Sequence, residues 1–225
     1  MVGGQRGAYL EGMLDTPLSR LHATAPAPLP FAPSLHIRAF VLEREHGNLL
    51  AYAAPSVRAA APAIEALGGV THQYLNHWHE AAFGGDGVDA PLVIHADDRA
   101  AAEDSLPVDE TFSERRLLDG DFELIPTPGH TPGATAFLWH NGEQRLLFTG
   151  DSIYLRDGDW VAAVLEGSSD RTAYIESLEI LRALEFDVLV PWAASGESYY
   201  ALTDPAGARL RIDAILERLR RGEDH

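Results

Sequence analysis

Apolar and polar positions change their period several times along the chain, and each change predicts an element. The β-prone runs "IRAFVLER" and "NLLAYAA" flank the turn-rich "EHGN", which predicts a hairpin. Ser56 to Leu67 has helical character and stops at Gly68-Gly69, with Pro62 as a kink or a late start. "APLVIHA" and "LLFTGDS" are short apolar runs ending in polar residues, the form of buried strands whose ends open onto a site. Tyr174, Leu178, Leu181 and Leu184 recur at helical spacing behind the start signal "SSDR", and "FDVLVP" then predicts another buried strand. From Pro205 to Arg221, Leu210, Ile212, Ile215, Leu216 and Leu219 predict a C-terminal helix that packs one face. Strands and helices alternate without an internal repeat, so an α/β layered domain is expected.

The N-terminal part departs from this pattern. "TAPAPLPFAP", with Pro26, Pro28, Pro30 and Pro33, must be extended and can join a sheet only at an edge. Residues 1–34 are therefore expected to form an extended lead-in to a single domain over residues 1–225, a length that can bury a substantial core.

Charge and composition exclude several classes of function. Seventeen basic and 34 acidic residues give a formal charge of −17, which repels nucleic acid and anionic membrane, so neither is an expected partner. Cysteine is absent, which removes disulfides, zinc-thiolate sites, iron–sulfur clusters and cysteine nucleophiles together. A metal here must use His, Asp or Glu. No apolar run suits a signal peptide or a membrane span, so a cytoplasmic protein is expected, with a small-molecule substrate or ligand as partner and oligomerisation left open. The arginines of the C-terminal helix, Arg209, Arg211, Arg218, Arg220 and Arg221, are expected to be a solvated face balancing an acidic body rather than an anion patch.

Ten histidines are present, and most have no partner pattern. His22, His36, His46, His72, His140 and His225 are assigned to the surface or to packing, and His95, at the end of "PLVIH", to a structural role at a strand end. His77 and His79 differ. Two histidines at i and i+2 cannot lie side by side on a helix, but on a strand or extended loop they project from one side and can chelate one ion. His130 lies in "PTPGHTPGAT", a stiff turn that presents an imidazole reproducibly, and Asp151 closes "LLFTGD", where its carboxylate emerges past a buried strand.

This ordered set resembles the metallo-β-lactamase superfamily of metallohydrolases over roughly residues 35 to 200. "HWHEAAFGG" is similar to the family's H-x-H-x-D-H motif and glycine pair, "PGHTPG" to its G-H-T turn, "FTGD" to its G-D strand end and "VLVPWAASG" to its last histidine loop. The resemblance implies a four-layer αββα sandwich, two mixed sheets between helical layers, with metals at one rim. It also implies that His77, His79 and His130 bind a first metal, and that Asp151 is the residue that bridges two metals in relatives. The departures are grouped: Ala81 and Ala82 stand where relatives have Asp and His, and Ala193 where they have the last histidine. Those three residues serve mainly the second metal, so one site is kept and its neighbour is erased. Trp192, beside Ala193, is placed to fill the vacated volume. Glu80 stands one position early to replace the lost carboxylate and is expected to point away, at the surface or just behind the ligands.

One zinc ion on three neutral imidazoles, with water in the fourth position, suits a mononuclear hydrolase of small esters, lactones or thioesters, with Asp151 as general base. If Asp151 binds the metal directly, the tetrahedron closes and the site is structural. Iron is the other candidate metal: His77, His130 and Asp151 could form the facial triad of an Fe(II) oxygenase similar to the persulfide dioxygenases. A non-catalytic binding protein of the same fold is the remaining alternative. Tyr199 and Tyr200 could line the cleft or serve in packing.

Overall fold

The computed structural model describes residues 12–85, 87–196 and 198–223. The first eleven residues of the lead-in and His225 lie outside the described residues. Four α-helices are present among them: α1 (Val57–Ala66), α2 (Arg99–Ala102), α3 (Arg171–Ala183) and α4 (Pro205–Arg220).

The strands form three sheets among the described residues. One runs in the order Met13–Asp15, Leu21–Thr24, Phe40–Leu42, Leu49–Ala51, His72–Tyr74, Leu92–His95 and Glu110–Phe112, with the expected hairpin pairing Phe40–Leu42 to Leu49–Ala51. The second runs Arg116–Leu118, Phe122–Pro126, Thr135–His140, Arg145–Gly150, Val188–Pro191 and Ala201–Leu202. A smaller third sheet runs Asp159–Val161, Tyr154–Arg156, Ala193–Ser195, Ala32–Ile37 and Ala27–Leu29. The proline-rich segment supplies that sheet's edge strand and part of the next. Pro33 is tolerated in the second of these because its pairing to Ala193–Ser195 begins only at Leu35.

Period-2 alternation explains the layering. In the second sheet Phe137, Trp139, Phe148 and Val190 turn inward to a core shared with Phe40, Tyr52 and Tyr74 of the first region. The alternate residues Ala136, Leu147 and Leu189 turn outward to Tyr174, Leu178 and Leu181 of α3 and Ile212, Ile215 and Leu216 of α4. A strand buried on both faces needs a sheet on one side and helices on the other. With α1 burying Val57, Ala60, Ala63 and Ile64, the result is the expected αββα sandwich of mixed sheets.

Local signals held with two adjustments. Asp170 caps α3 by accepting from the Thr172 and Ala173 amides, and α1 continues through Pro62. Leu210 is not part of the packed stripe of α4: it is 73 % exposed, because two helical positions turn it about 200° away from Ile212. The α4 arginines pair within the chain, Arg220 with Glu179 and Arg221 with Glu223, while Arg211 lies over the Trp160 ring.

Parallel pairing sets the functional rim. His72–Tyr74 runs parallel to Leu92–His95, and Arg145–Gly150 parallel to Val188–Pro191, so the segments following each pair leave on one side. Tyr52 ties the two sheets beneath that rim: its fully buried hydroxyl donates to the Val190 carbonyl at 2.7 Å and accepts from the Gly150 amide at 2.9 Å.

Candidate metal centre

His77 lies in extended backbone (φ −156°, ψ 162°) just beyond the strand His72–Tyr74, and His79 falls inside the tight 3-10 turn Trp78–Phe83 that follows. Only the first of the pair is extended, yet the rings converge, with centroids 5.2 Å apart. His130 sits in the turn between Phe122–Pro126 and Thr135–His140. That turn presses against α3 through Gly129 (φ +140°), where a Cβ would land on the Tyr174 backbone. Asp151 follows Gly150 (φ +56°), where a Cβ would strike the Asn76 side chain. Glycine at both positions lets three loops close on one point.

His77, His79 and His130 each offer a ring nitrogen, all within 4.8 Å of one another, and could hold a metal ion. His79 Nδ1 and His130 Nε2 are 3.1 Å apart; tetrahedral zinc with bonds of about 2.0–2.1 Å places its ligand nitrogens about 3.4 Å apart. His130 Nδ1 donates to the Ala163 carbonyl at 2.7 Å, which fixes the tautomer and leaves Nε2 with a free lone pair. His77 is fully buried and neither of its ring nitrogens completes a hydrogen bond, although Nδ1 lies 3.1 Å from Glu80 Oε1. A buried imidazole nitrogen without a partner is what a metal ion satisfies. Burial lowers His77 to about 3; burial and the His77 ring lower His79 to about 3; burial holds His130 well below its ordinary value. All three rings are therefore neutral near pH 7, the form a metal requires. The donor set fits zinc.

Asp151 stands beside this cluster rather than within it. Its Oδ2 is 3.7 Å from His77 Nε2 and 3.9 Å from His130 Nε2, and its buried Oδ1 has no hydrogen-bond partner. Burial, and then the charge of Glu80, push its carboxyl up to about 7.

Two buried carboxylates hold the ligand loops in place. Glu80 is not a surface residue: it is fully buried, and it accepts from the amides of Asn76 at 2.9 Å, His77 at 3.3 Å and Ala53 at 3.1 Å. It points away from the cleft and lies just behind the ligands, the second of the two places expected for it. Asp98, which sequence reasoning missed, accepts from the Trp78 amide at 3.0 Å, the Thr131 hydroxyl at 2.6 Å and the Gly133 amide at 2.7 Å. It thereby joins the His77–His79 loop to the His130 loop. Its signal was its place just past the strand "PLVIH", a strand end directed to the same rim.

The three positions expected to have lost ligands do not share one environment. Ala82 and Ala193 line a cleft of about 470 Å³ that also reaches His79, His130 and Asp151. Ala81 instead packs in an apolar cluster with Leu75, Leu92 and Ile94, so the expectation that it faces the site is corrected by the same tight turn that buries Glu80. Trp192 forms part of the cleft wall but leaves the space beside Ala82 and Ala193 open: its ring is 5.4 Å from both His77 and Phe83, and its Nε1 donates to the Ala53 carbonyl at 2.7 Å. His95 is structural, its Nε2 3.2 Å from the Ser113 carbonyl. Tyr199 packs on Phe40 and under Arg38 rather than lining the cleft.

Among the described residues no helix is long and apolar enough to cross a membrane. A sequence profile of the metallo-beta-lactamase superfamily matches residues 51–193, which include every residue of the centre. No curated protein sequence matches. Among solved structures, a metallo-beta-lactamase from Pontibacter korlensis superposes with a TM-score of 0.68 at 17% identity, covering 92% of this chain and 99% of that one. A subclass B3 metallo-beta-lactamase of Bradyrhizobium japonicum gives 0.60 at 17%, covering 92% of each chain. An archaeal metallo-beta-lactamase superfamily protein from Sulfolobus tokodaii gives 0.59 at 19%, covering 89% of this chain and 87% of that one. At these identities the structural likeness shows the fold alone, while the profile covers well over half of the sequence: the chain belongs to the metallo-beta-lactamase superfamily.

Proposed function

We propose that the chain is a mononuclear metal-dependent hydrolase of small esters, lactones or thioesters. The observation that supports this most is the contrast within one cleft: three neutral imidazoles converge beside Asp151, while Ala82 and Ala193 offer no ligands for a second ion. His77, His79 and His130 would hold one zinc ion. When bound, zinc supplies Lewis acidity and a water whose pKa falls to about 7.

The chain's own groups account for the rest. Asp151 lies outside the three-nitrogen cluster with an unpartnered oxygen, which suits accepting a hydrogen bond and a proton better than closing the tetrahedron. The Ala163 carbonyl holds the His130 ring, and Trp192 and Phe83 exclude water from one wall. Absence of a second Lewis acid favours activated acyl bonds over difficult ones, since each 1.36 kcal/mol of lost stabilisation is about tenfold in rate.

Elemental analysis of protein purified without added metal or chelator, run with ester, lactone and thioester hydrolysis, tests this reading. About one equivalent of zinc and hydrolysis that disappears in His130→Ala are expected. Two equivalents, or a metal-loaded chain inert to all three substrate classes, would overturn it. One equivalent of iron with oxygen consumption on persulfide substrates would replace it with the oxygenase reading.

A further inference from the structure

The cleft is apolar along most of its wall, through Leu29, Leu35, Phe83, Val164, Leu165 and Trp192. The strand Tyr154–Arg156 brings Arg156, an exposed residue, to the lining of the same cleft. The chain contains no lysine, so its 17 cations are all arginines, facing 34 acidic residues. Many are committed: Arg44, Arg99, Arg115, Arg145 and Arg182 each pair with a carboxylate. Arg156 differs. Its guanidinium lies 5.3 Å from the ring of Tyr154, and among the described residues no carboxylate pairs with it.

Neither of the nearest acids in sequence forms an ion pair with it. Asp157 Oδ1 accepts from the Ser195 hydroxyl at 3.1 Å, and Asp159 stands opposite Arg156 in the hairpin register without forming an ion pair. Arg156 is the only arginine in the cleft lining among the described residues. A planar fork of donors beside an apolar wall matches a planar or tetrahedral oxyanion better than any neutral group. The acidic body works against an anion at long range, but screening confines that effect to about 10 Å at ordinary salt.

We propose that the cleft selects an amphipathic anion: an acyl compound whose apolar chain lies along Leu29, Leu35 and Val164 and whose carboxylate or phosphate head pairs with Arg156. This rests on the hydrolase reading only for the bond that is broken; the head-group pairing is a binding property.

Trp78 and Trp192 both line the cleft, so tryptophan emission reports occupancy without turnover. Metal-free protein would be titrated with decanoate, decyl phosphate and decanol. Saturable binding of decanoate or decyl phosphate about tenfold tighter than decanol is expected, as one charge-assisted pair provides. Whichever anion binds more tightly identifies the head group. Arg156→Gln should remove that tenfold and leave decanol unchanged, and Arg156→Lys should recover part of it. Decanol binding as tightly as both anions, or Arg156→Gln binding them as the parent does, would overturn the proposal. A zinc-loaded chain that hydrolyses no ester while showing the head-group preference sinks only the hydrolase reading. Ester hydrolysis without any head-group preference in the titration sinks only this one.

Discussion

On one side of the cleft floor, His77, His79 and His130 are fixed from behind by polar contacts: Glu80 gathers three backbone amides, Asp98 joins two loops, and the Ala163 carbonyl orients His130. On the other side Ala82 and Ala193 meet the cleft beside Trp192 and Phe83, and the wall is aromatic. The first side retains ligands together with their supports. The second has no ligands and is open to the cleft beside an indole anchored by its own hydrogen bond. Buried carboxylates are costly unless fully bonded, so Glu80 and Asp98 indicate a region still built around its ligands.

The largest effect expected on this comparison comes from Glu80→Ala, which leaves the amides of Asn76, His77 and Ala53 buried without an acceptor. A loss of about 3–5 kcal/mol in unfolding free energy by denaturant titration is expected, with metal binding lost alongside. A loss below about 1 kcal/mol would show that the polar side is not fixed as described.

Ala81→Asp and Ala82→His separate the two kinds of erased position. Ala81→Asp places a carboxylate among Leu75, Leu92 and Ile94 and should cost about 3 kcal/mol in the same titration. Ala82→His, facing the cleft, should leave stability within about 0.5 kcal/mol. Equal costs would mean that both positions share one environment.

A smaller loss of stability than for Glu80→Ala or Ala81→Asp is expected for Asp98→Asn, which puts an amide donor where Trp78, Thr131 and Gly133 already donate. About 2 kcal/mol of stability should be lost. Zinc affinity, read by chelator competition, should fall about 10- to 100-fold because the two ligand loops are no longer joined. Unchanged affinity would show that the loops hold their spacing without Asp98.

Much of the architecture was legible in the chain because its signals are local. The hairpin around "EHGN", the α3 start at Asp170 and the buried strand "FDVLVP" each depend on residues within a few positions of one another. Leu210 misled because a residue two positions from a packed one is apolar without facing the core.

The sequence by itself determined the ligand types: with no cysteine, and with His77, His79, His130 and Asp151 in family order, a nitrogen-rich centre was written into composition and motif. Only the tertiary structure decided how those residues are held. Glu80 and Asp98 gained their roles because a tight turn and two loops bring together backbone amides that the chain keeps far apart, from Ala53 to Gly133. Arg156 became distinctive only once it was seen to line a mostly apolar cleft without an ion pair to Asp157 or Asp159. Local pattern reports what a residue can do; the environment that makes a carboxylate a clamp, or leaves a guanidinium without a counterion, is a property of long-range packing.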